Sequence, residues 1–318
     1  VPEVREAQAD LARAHGLDGF CYYHYWFNGR RLLDRPFAEV LATGAPDFPF
    51  CLCWANEDWT RAWDGSTSER LVVQRYSEED DRAHIRWLLT AARDERYVRV
   101  DGRPLFLIYK ASLLPEPRRT TDVWREEARR AGVGDLYLCR VESERTEHGD
   151  PEPLGFDAAV EFQPEWGSFG RPLRRSLPER LLRRVGIGRR GYRLHEVHDY
   201  AATVERMLAR PEPPYKRFPC VTPSWDNTAR RKSQGFVLDG AAPQLYERWL
   251  RAVVDRFEPF GPGEDLVFIN AWNEWAEGNH LEPCCRFGRE WLDATARALD
   301  VRGALEGPAD ARRQTHRP

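Results

Sequence analysis

The sequence predicts an α/β fold, a (β/α)8 TIM barrel that lacks its first strand in this chain. Three observations predict it. Strand-like and helix-like segments alternate along the chain. Several strands are near-continuous apolar runs, as parallel strands covered on both faces are. Polar and aromatic residues gather just past the C-terminal ends of at least five of these runs. A doubly wound sheet concentrates function at one switch point, whereas a barrel collects it from many strand ends around a ring.

Taken in order, Val4–His15 has the Ala, Arg and Glu content of a helix and stops at Gly16. Gly19–Phe27 follows as a strand, and Pro36–Thr43 has helical spacing up to Gly44. Phe50–Ala55 is a second apolar strand that runs into Asn56-Glu57-Asp58-Trp59. Ser77-Glu78-Glu79-Asp80 opens a helix reaching about Arg93, with a capping serine and acids in the first turn. After the Asp101-Gly102 turn, Pro104–Tyr109 is a third strand ending in Lys110, and Glu116–Ala131 is an amphipathic helix closed by Gly132. Leu136–Val141 and Asp157–Phe162 are strands, the second leading into Gln163-Pro164-Glu165-Trp166. Beyond an irregular stretch come helix Asp199–Leu208, strand Phe218–Thr222, helix Pro243–Phe257, strand Leu266–Asn270 and helix Glu290–Leu299. The strands number about seven and the chain opens on a helix, so a first strand is expected upstream of Val1. Residues 1–303 read as one catalytic domain with an Arg-rich insertion at about 167–195, and 304–318 as a polar, disordered tail.

The composition narrows the function classes. A net charge of −3 over 318 residues gives no sign of a nucleic-acid partner. Twelve Trp against one Met is unusual; most such rings pack in cores, but their flat faces also suit sugar rings. Seven cysteines, an odd number without Cys-x-x-Cys, sit mostly in apolar runs and read as reduced thiols of a cytoplasmic protein. No stretch is long and apolar enough to span a bilayer. No cofactor is expected. Cys51 and Cys53 alternate onto one strand face without a partner at zinc spacing. Gly186-Ile187-Gly188-Arg189-Arg190-Gly191 lacks the preceding strand that a dinucleotide site requires. The Arg-rich run 171–193 could meet a diphosphate or an anionic lipid carrier, although charge runs are usually solvated loops.

The last strand hands its end to Trp272, Asn273, Glu274, Trp275 and Glu277. If the segment bends there, Glu274 and Glu277 face one cavity. Two carboxyl groups in an apolar, Trp-lined site have their proton affinities pushed apart, as acid/base attack on a glycosidic bond needs. The ordinary alternative is a pair of surface acids near a helix N-terminus. Other strand ends supply candidate saccharide contacts: His24, Tyr25 and Trp26; Asn56, Glu57, Trp59 and Trp63; Glu161; Trp225 and Asp226; and Glu282. By the period-2 rule Tyr22, His24 and Trp26 share one strand face, and Tyr23 and Tyr25 the other. His24 could be a general base or a hydrogen-bonded structural histidine.

Asn273-Glu274-Trp275-x-Glu277-Gly278-x-x-Leu281-Glu282 resembles the catalytic segment of glycoside hydrolase family 99, the endo-α-mannosidases. From Pro2 to about Leu299 the chain resembles more closely the WbsX-type glycosyltransferase family, family-99-like barrels of bacterial polysaccharide gene clusters. Asp18–Phe27, Phe50–Glu57, Phe156–Ala158 and Ala271–Glu282 carry that resemblance. It implies that Glu277 is the acid/base at the leaving oxygen. It also implies that Glu274 deprotonates the sugar 2-hydroxyl, which attacks the anomeric carbon through an epoxide-like intermediate. This route needs an axial 2-hydroxyl, as in α-mannosides or rhamnose. Such proteins usually open with a strand and an aromatic loop before the first helix, from which this chain departs.

The expectation is an enzyme acting at a glycosidic bond, by WbsX-type glycosyl transfer in assembly of a bacterial cell-surface polysaccharide of O-antigen or capsule-like type. Its partner would be an oligosaccharide or polysaccharide, lipid- or nucleotide-linked, met in the cytoplasm at the inner face of the membrane. Two alternatives stand beside it: a retaining hydrolase of family-99 type, and a non-catalytic carbohydrate-binding barrel. No Asp-x-Asp occurs, so the metal–nucleotide site of many transferases is not evident.

Overall fold

The structure, a computed structural model, describes residues 1–61, 69–169, 172–173, 194–231 and 233–300. Trp63, most of the Arg-rich insertion with its glycine run, and the tail 304–318 lie outside the described residues.

Five parallel strands form the frame: β1 (Phe20–Phe27), β2 (Phe50–Trp54), β3 (Arg103–Ile108), β4 (Tyr137–Glu142) and β5 (Ala158–Glu161). Each pairs with the next in chain order. The next strand is split at Pro219, which has no N–H to give a ladder. Its first half, β6 (Arg217–Phe218), pairs with β5; its second, β7 (Cys220–Val221), pairs with β8 (Phe268–Ile269). Among the described residues no ladder joins β8 to β1, so the expected closed ring is seen as an open central parallel sheet. The rings of Phe20 and Trp272 meet across that seam at 5.2 Å. As an edge strand, β8 is only half-buried, where its apolar run predicted full burial.

Helices cover the outer face: α1 (Pro2–Ala14), α2 (Arg35–Thr43), α3 (Glu78–Ala92), α4 (Pro117–Arg130), α5 (Tyr200–Leu208), α6 (Pro243–Arg256) and α7 (Glu290–Ala298). Their ends follow local chemistry. Ser77 accepts the Asp80 amide at 3.2 Å and starts α3, and Gly44 ends α2 at φ 69°. Under β1–β5, Phe50, Trp54, Phe106 and Trp124 form one core; Tyr200, Tyr246, Trp249 and Trp291 anchor a second beneath β7 and α5–α7. Buried Glu127 of α4 accepts from Arg82 and Arg86 of α3, both at 2.7 Å, which fixes that helix pair. At the start of β5, Asp157 accepts from Arg103 and Arg125 at 2.7 Å and from the Leu138 amide at 2.8 Å. It ties the strand starts together, on the face of such folds that serves stability.

The alternation along β1 decides what faces the helices. Tyr22, His24 and Trp26 point outward: His24 Nε2 lies 3.0 Å from His84 Nε2, and Trp26 Nε1 donates to Asp80 at 3.1 Å. Cys21, Tyr23 and Tyr25 point inward, with Cys21 directly opposite Cys51 in the ladder to β2. All seven cysteines are free.

Trp54 is fully buried, donates its indole N–H to the Trp26 carbonyl at 3.2 Å and packs on His84 and Trp124. Trp54→Ala is expected to cost about 3–5 kcal/mol of unfolding free energy, read as a lower urea midpoint with an unchanged slope.

Candidate active site

Past β8 the chain makes a miniature hairpin. Asn273–Glu274 pairs antiparallel with Asn279–His280, and the single turn Trp275–Glu277 forms its tip. Glu274 and Glu277 therefore sit on the same tight turn. Gly278 closes it at φ +57°, and a Cβ there would come within 2.9 Å of the Asp226 carbonyl oxygen. That close approach lets the segment after β7 dock on the hairpin. The Asp226 amide donates to the Glu277 carbonyl at 2.7 Å, and Ser224 Oγ to the Gly278 carbonyl at 2.6 Å. Beneath them Thr222 Oγ1 donates to buried Asn279 at 3.0 Å. The Asp226 carboxylate caps the next turn through the Thr228 amide at 3.0 Å. This places Arg230, whose Nη1 donates to Glu277 Oε1 at 2.8 Å.

Burial pushes the Glu277 carboxyl up to about 7; Arg230 opposes the rise and the Glu274 charge adds to it. Among the described residues the Glu274 carboxylate has no hydrogen-bond or ion-pair partner. Burial raises both Tyr25 and Tyr109, with Glu274 adding to the first, and Glu57 and Glu277 to the second. The charges of the two glutamates are thus felt at Tyr25 and Tyr109, which belong to one cluster of rings. Tyr23 stacks on Tyr25 at 6.4 Å and meets Tyr109 edge-on at 5.9 Å; Trp59 meets Tyr25 at 5.3 Å and Phe162 meets Tyr109 at 5.5 Å. At its rim Lys110 Nζ bridges Glu57 at 2.5 Å and Glu144 at 2.8 Å. A carboxyl that keeps its proton to neutrality beside one with no fixed partner can give and take protons at a bound hydroxyl or glycosidic oxygen.

The sequence-proposed residues divide. Tyr25, Glu57 and Trp59 share the inner side with the glutamates through Tyr25 and Tyr109. Asn273 is exposed. Trp275 is 46 % exposed, stacks on His280 at 3.7 Å and donates to Glu282 at 2.7 Å, while Gln8 of α1 holds the other Glu282 oxygen at 2.6 Å. Trp272 turns toward Phe20 and the core.

Several expectations need correction. His24 and Trp26 lie on the helix-facing side of β1; burial holds His24 neutral, its value lowered to about 3. Asn56 is fully buried with its amide bound to the Lys110 backbone at 2.7 and 2.9 Å, clipping the β2 and β3 ends together, so it has no group left for a sugar hydroxyl. Glu161 is held by Arg210 at 2.8 Å and the Cys220 amide at 3.2 Å. Trp225 is buried against Trp166, and the Asp226 carboxylate is a cap. Sequence reasoning missed Arg230 and Tyr109. The signal for Arg230 was its place directly behind the Trp225-Asp226-Asn227 turn.

Two broad surface concavities, of about 850 and 910 Å3, lie along α3–α4 and under the N-terminal ends of β4–β6; neither borders Glu274 or Glu277. Among the described residues no three His, Cys, Asp or Glu side chains converge as metal ligands would.

The Glu277 environment has a thermodynamic signature. The unfolded chain loses that proton near 4.5, the native chain near 7, so between these values the native state binds more protons and its stability falls as pH rises. Glu277→Gln removes this penalty. The variant should gain up to about 3 kcal/mol on wild type between pH 4.5 and 7.5 in urea titrations. A difference that does not change with pH would mean that Glu277 ionises normally.

The family model described as "Glycosyltransferase WbsX" matches residues 1–295. Two curated relatives from strains of Xanthomonas campestris pv. campestris, both called uncharacterized protein WxcX, are 42 % identical over 299 residues. The match takes in 94 % of this chain and 41 % of theirs, so the chain spans about two fifths of their length. Among solved structures, a glycoside hydrolase-like protein is similar with a TM-score of 0.60 at 14 % identity, over 94 % of this chain and 86 % of that one. The GH99 endo-α-mannosidase of Bacteroides thetaiotaomicron is similar with a TM-score of 0.56 at 16 % identity, over 96 % and 82 %. At such identities the likeness is one of fold. Matched by its model over nearly the whole sequence, the chain belongs to the WbsX glycosyltransferase family.

Proposed function

We propose that the chain catalyses glycosyl transfer in the assembly of a bacterial cell-surface polysaccharide, of O-antigen or capsule-like type, with Glu274 and Glu277 as its catalytic pair. The observation that carries the reading is a carboxyl holding its proton to about 7 beside a second carboxyl, over a wall of tyrosine and tryptophan rings. Glu274 takes the proton of the sugar 2-hydroxyl, whose oxygen attacks the anomeric carbon. Glu277 serves the departing oxygen and then the incoming hydroxyl. Tyr25, Trp59 and Trp275 offer faces on which a sugar ring stacks. The family match supports carbohydrate chemistry, and the likeness to family-99 structures supports reading the sheet as part of a (β/α)8 barrel. Seven free thiols favour a cytoplasmic site of action, and among the described residues no helix is long and apolar enough to cross a membrane.

Hydrolysis by the same pair is the second reading. It is favoured by the proton on Glu277, which suits a general acid near neutrality.

Product analysis with α-mannosides and α-rhamnosides, with and without a saccharide acceptor, separates the two. Transfer predicts a new glycosidic product only when acceptor is present; hydrolysis predicts free sugar in both. Glu277→Gln should lower turnover by about 10²–10⁴-fold while binding persists. Equal glycan binding by wild type and variant, with no turnover by either, would refute catalysis and leave a carbohydrate-binding barrel.

A further inference from the structure

Resting on that reading, we propose that Arg230 receives the phosphate of a glycosyl-phosphate donor, so that the group leaving at this site is an anionic phosphate or diphosphate ester. The acid/base carboxyl must touch the leaving oxygen, and Arg230 Nη1 is 2.8 Å from that carboxyl. Its guanidinium is therefore within reach of whatever the anomeric carbon releases. Only one of its N–H groups is engaged by the described residues, and the side chain is 44 % exposed, which leaves the rest of the fork open to an incoming anion. Arg231 adds positive charge felt at the same carboxyl. The arginine is built in, not incidental. Its turn is capped by Asp226 and locked to the catalytic hairpin through the Asp226 amide and Ser224.

The chemistry argues for an anion. A neutral sugar leaves only if its oxygen is protonated, and a guanidinium beside that oxygen gives such a group little help, whereas it stabilises an anion directly. A phosphate ester departs as a stable anion and needs a cation, for which the planar fork of arginine is suited. The steps then balance. Glu274 takes the 2-hydroxyl proton as the O2–C1 bond forms and the C1–O bond to phosphate breaks, its electron pair leaving with the phosphate on Arg230. The Glu277 carboxylate next takes the acceptor hydroxyl proton as the new O–C1 bond forms, and then passes that proton to the released phosphate or to water, which restores the carboxylate. The O2–C1 bond breaks, and O2 recovers its proton from Glu274.

Calorimetry on the chain tests this with the 1-phosphates of α-mannose and α-rhamnose against their methyl glycosides, for wild type, Arg230→Gln and Arg230→Lys. Far-UV circular dichroism and melting curves check that each variant is folded. Wild type should prefer the phosphates by about tenfold or more, Arg230→Gln should lose the preference, and Arg230→Lys should keep part of it. No preference in wild type, or an undiminished one in folded Arg230→Gln, overturns the inference and leaves the carbohydrate reading standing. Failure of every sugar to bind overturns both. Turnover arms with a nucleoside-diphosphate sugar and a short-chain polyprenyl-diphosphate sugar identify the carrier. An Arg230-dependent rate with either supports the proposal, and turnover of neutral aryl glycosides alone refutes it.

Discussion

One strand sets the plan of this molecule. Along Phe20–Phe27 successive side chains must point to opposite faces of the sheet, and here one face meets helices while the other meets the site. His24 and Trp26 fall on the helix side and become core, paired with His84 and Asp80 of α3. Tyr23 and Tyr25 fall on the other side and become the wall opposite the glutamates. A shift of one residue would exchange these roles, placing the tyrosines in the core and an imidazole in the cleft. The ladder to Phe50–Trp54 prevents that shift, with Cys21 opposite Cys51 and His24 opposite Trp54.

The proton affinity of Glu277 is likewise a property of two segments. Glu277 owes its raised proton affinity to burial, and that burial exists because the chain after β7 lies down on the hairpin tip. The contact is made by backbone groups at the place where Gly278 carries no side chain. The same segment delivers the guanidinium that counters the burial effect. Position and proton affinity of the carboxyl are therefore set by one docking event, and a lengthened loop at 224–231 would disturb both.

Much of the framework was legible because its signals are local. The apolar run at Phe50, the Ser77 cap and the Gly44 stop each report on a few neighbouring residues, and the elements appear where they indicate. The Glu274/Glu277 pair was equally visible, since both acids lie in one short segment. What the sequence hid depends on distance. Period 2 tells which residues of β1 share a face but not which face looks inward, so it could not tell a cleft-facing His24 and Trp26 from a structural pair. Asn56 looks like any strand-end polar residue until the Lys110 backbone is seen in its grasp. Arg230 meets Glu277 only after the chain between them has folded through α6, and no periodicity encodes that meeting.

Helix α1 is held by the far end of the chain. Gln8 bonds Glu282, and His15 lies 3.3 Å from Arg289 and 3.4 Å from Asp293. During synthesis this helix leaves the ribosome long before its partners are made. Until they arrive its apolar side, with Ala9 and Ala12, lacks part of its cover. The bracing of Glu282, and through it of Trp275, can form only once translation has passed Glu282 itself. The sheet can assemble as it emerges, but the rim of the site can close only after the segment carrying Glu282 has been made.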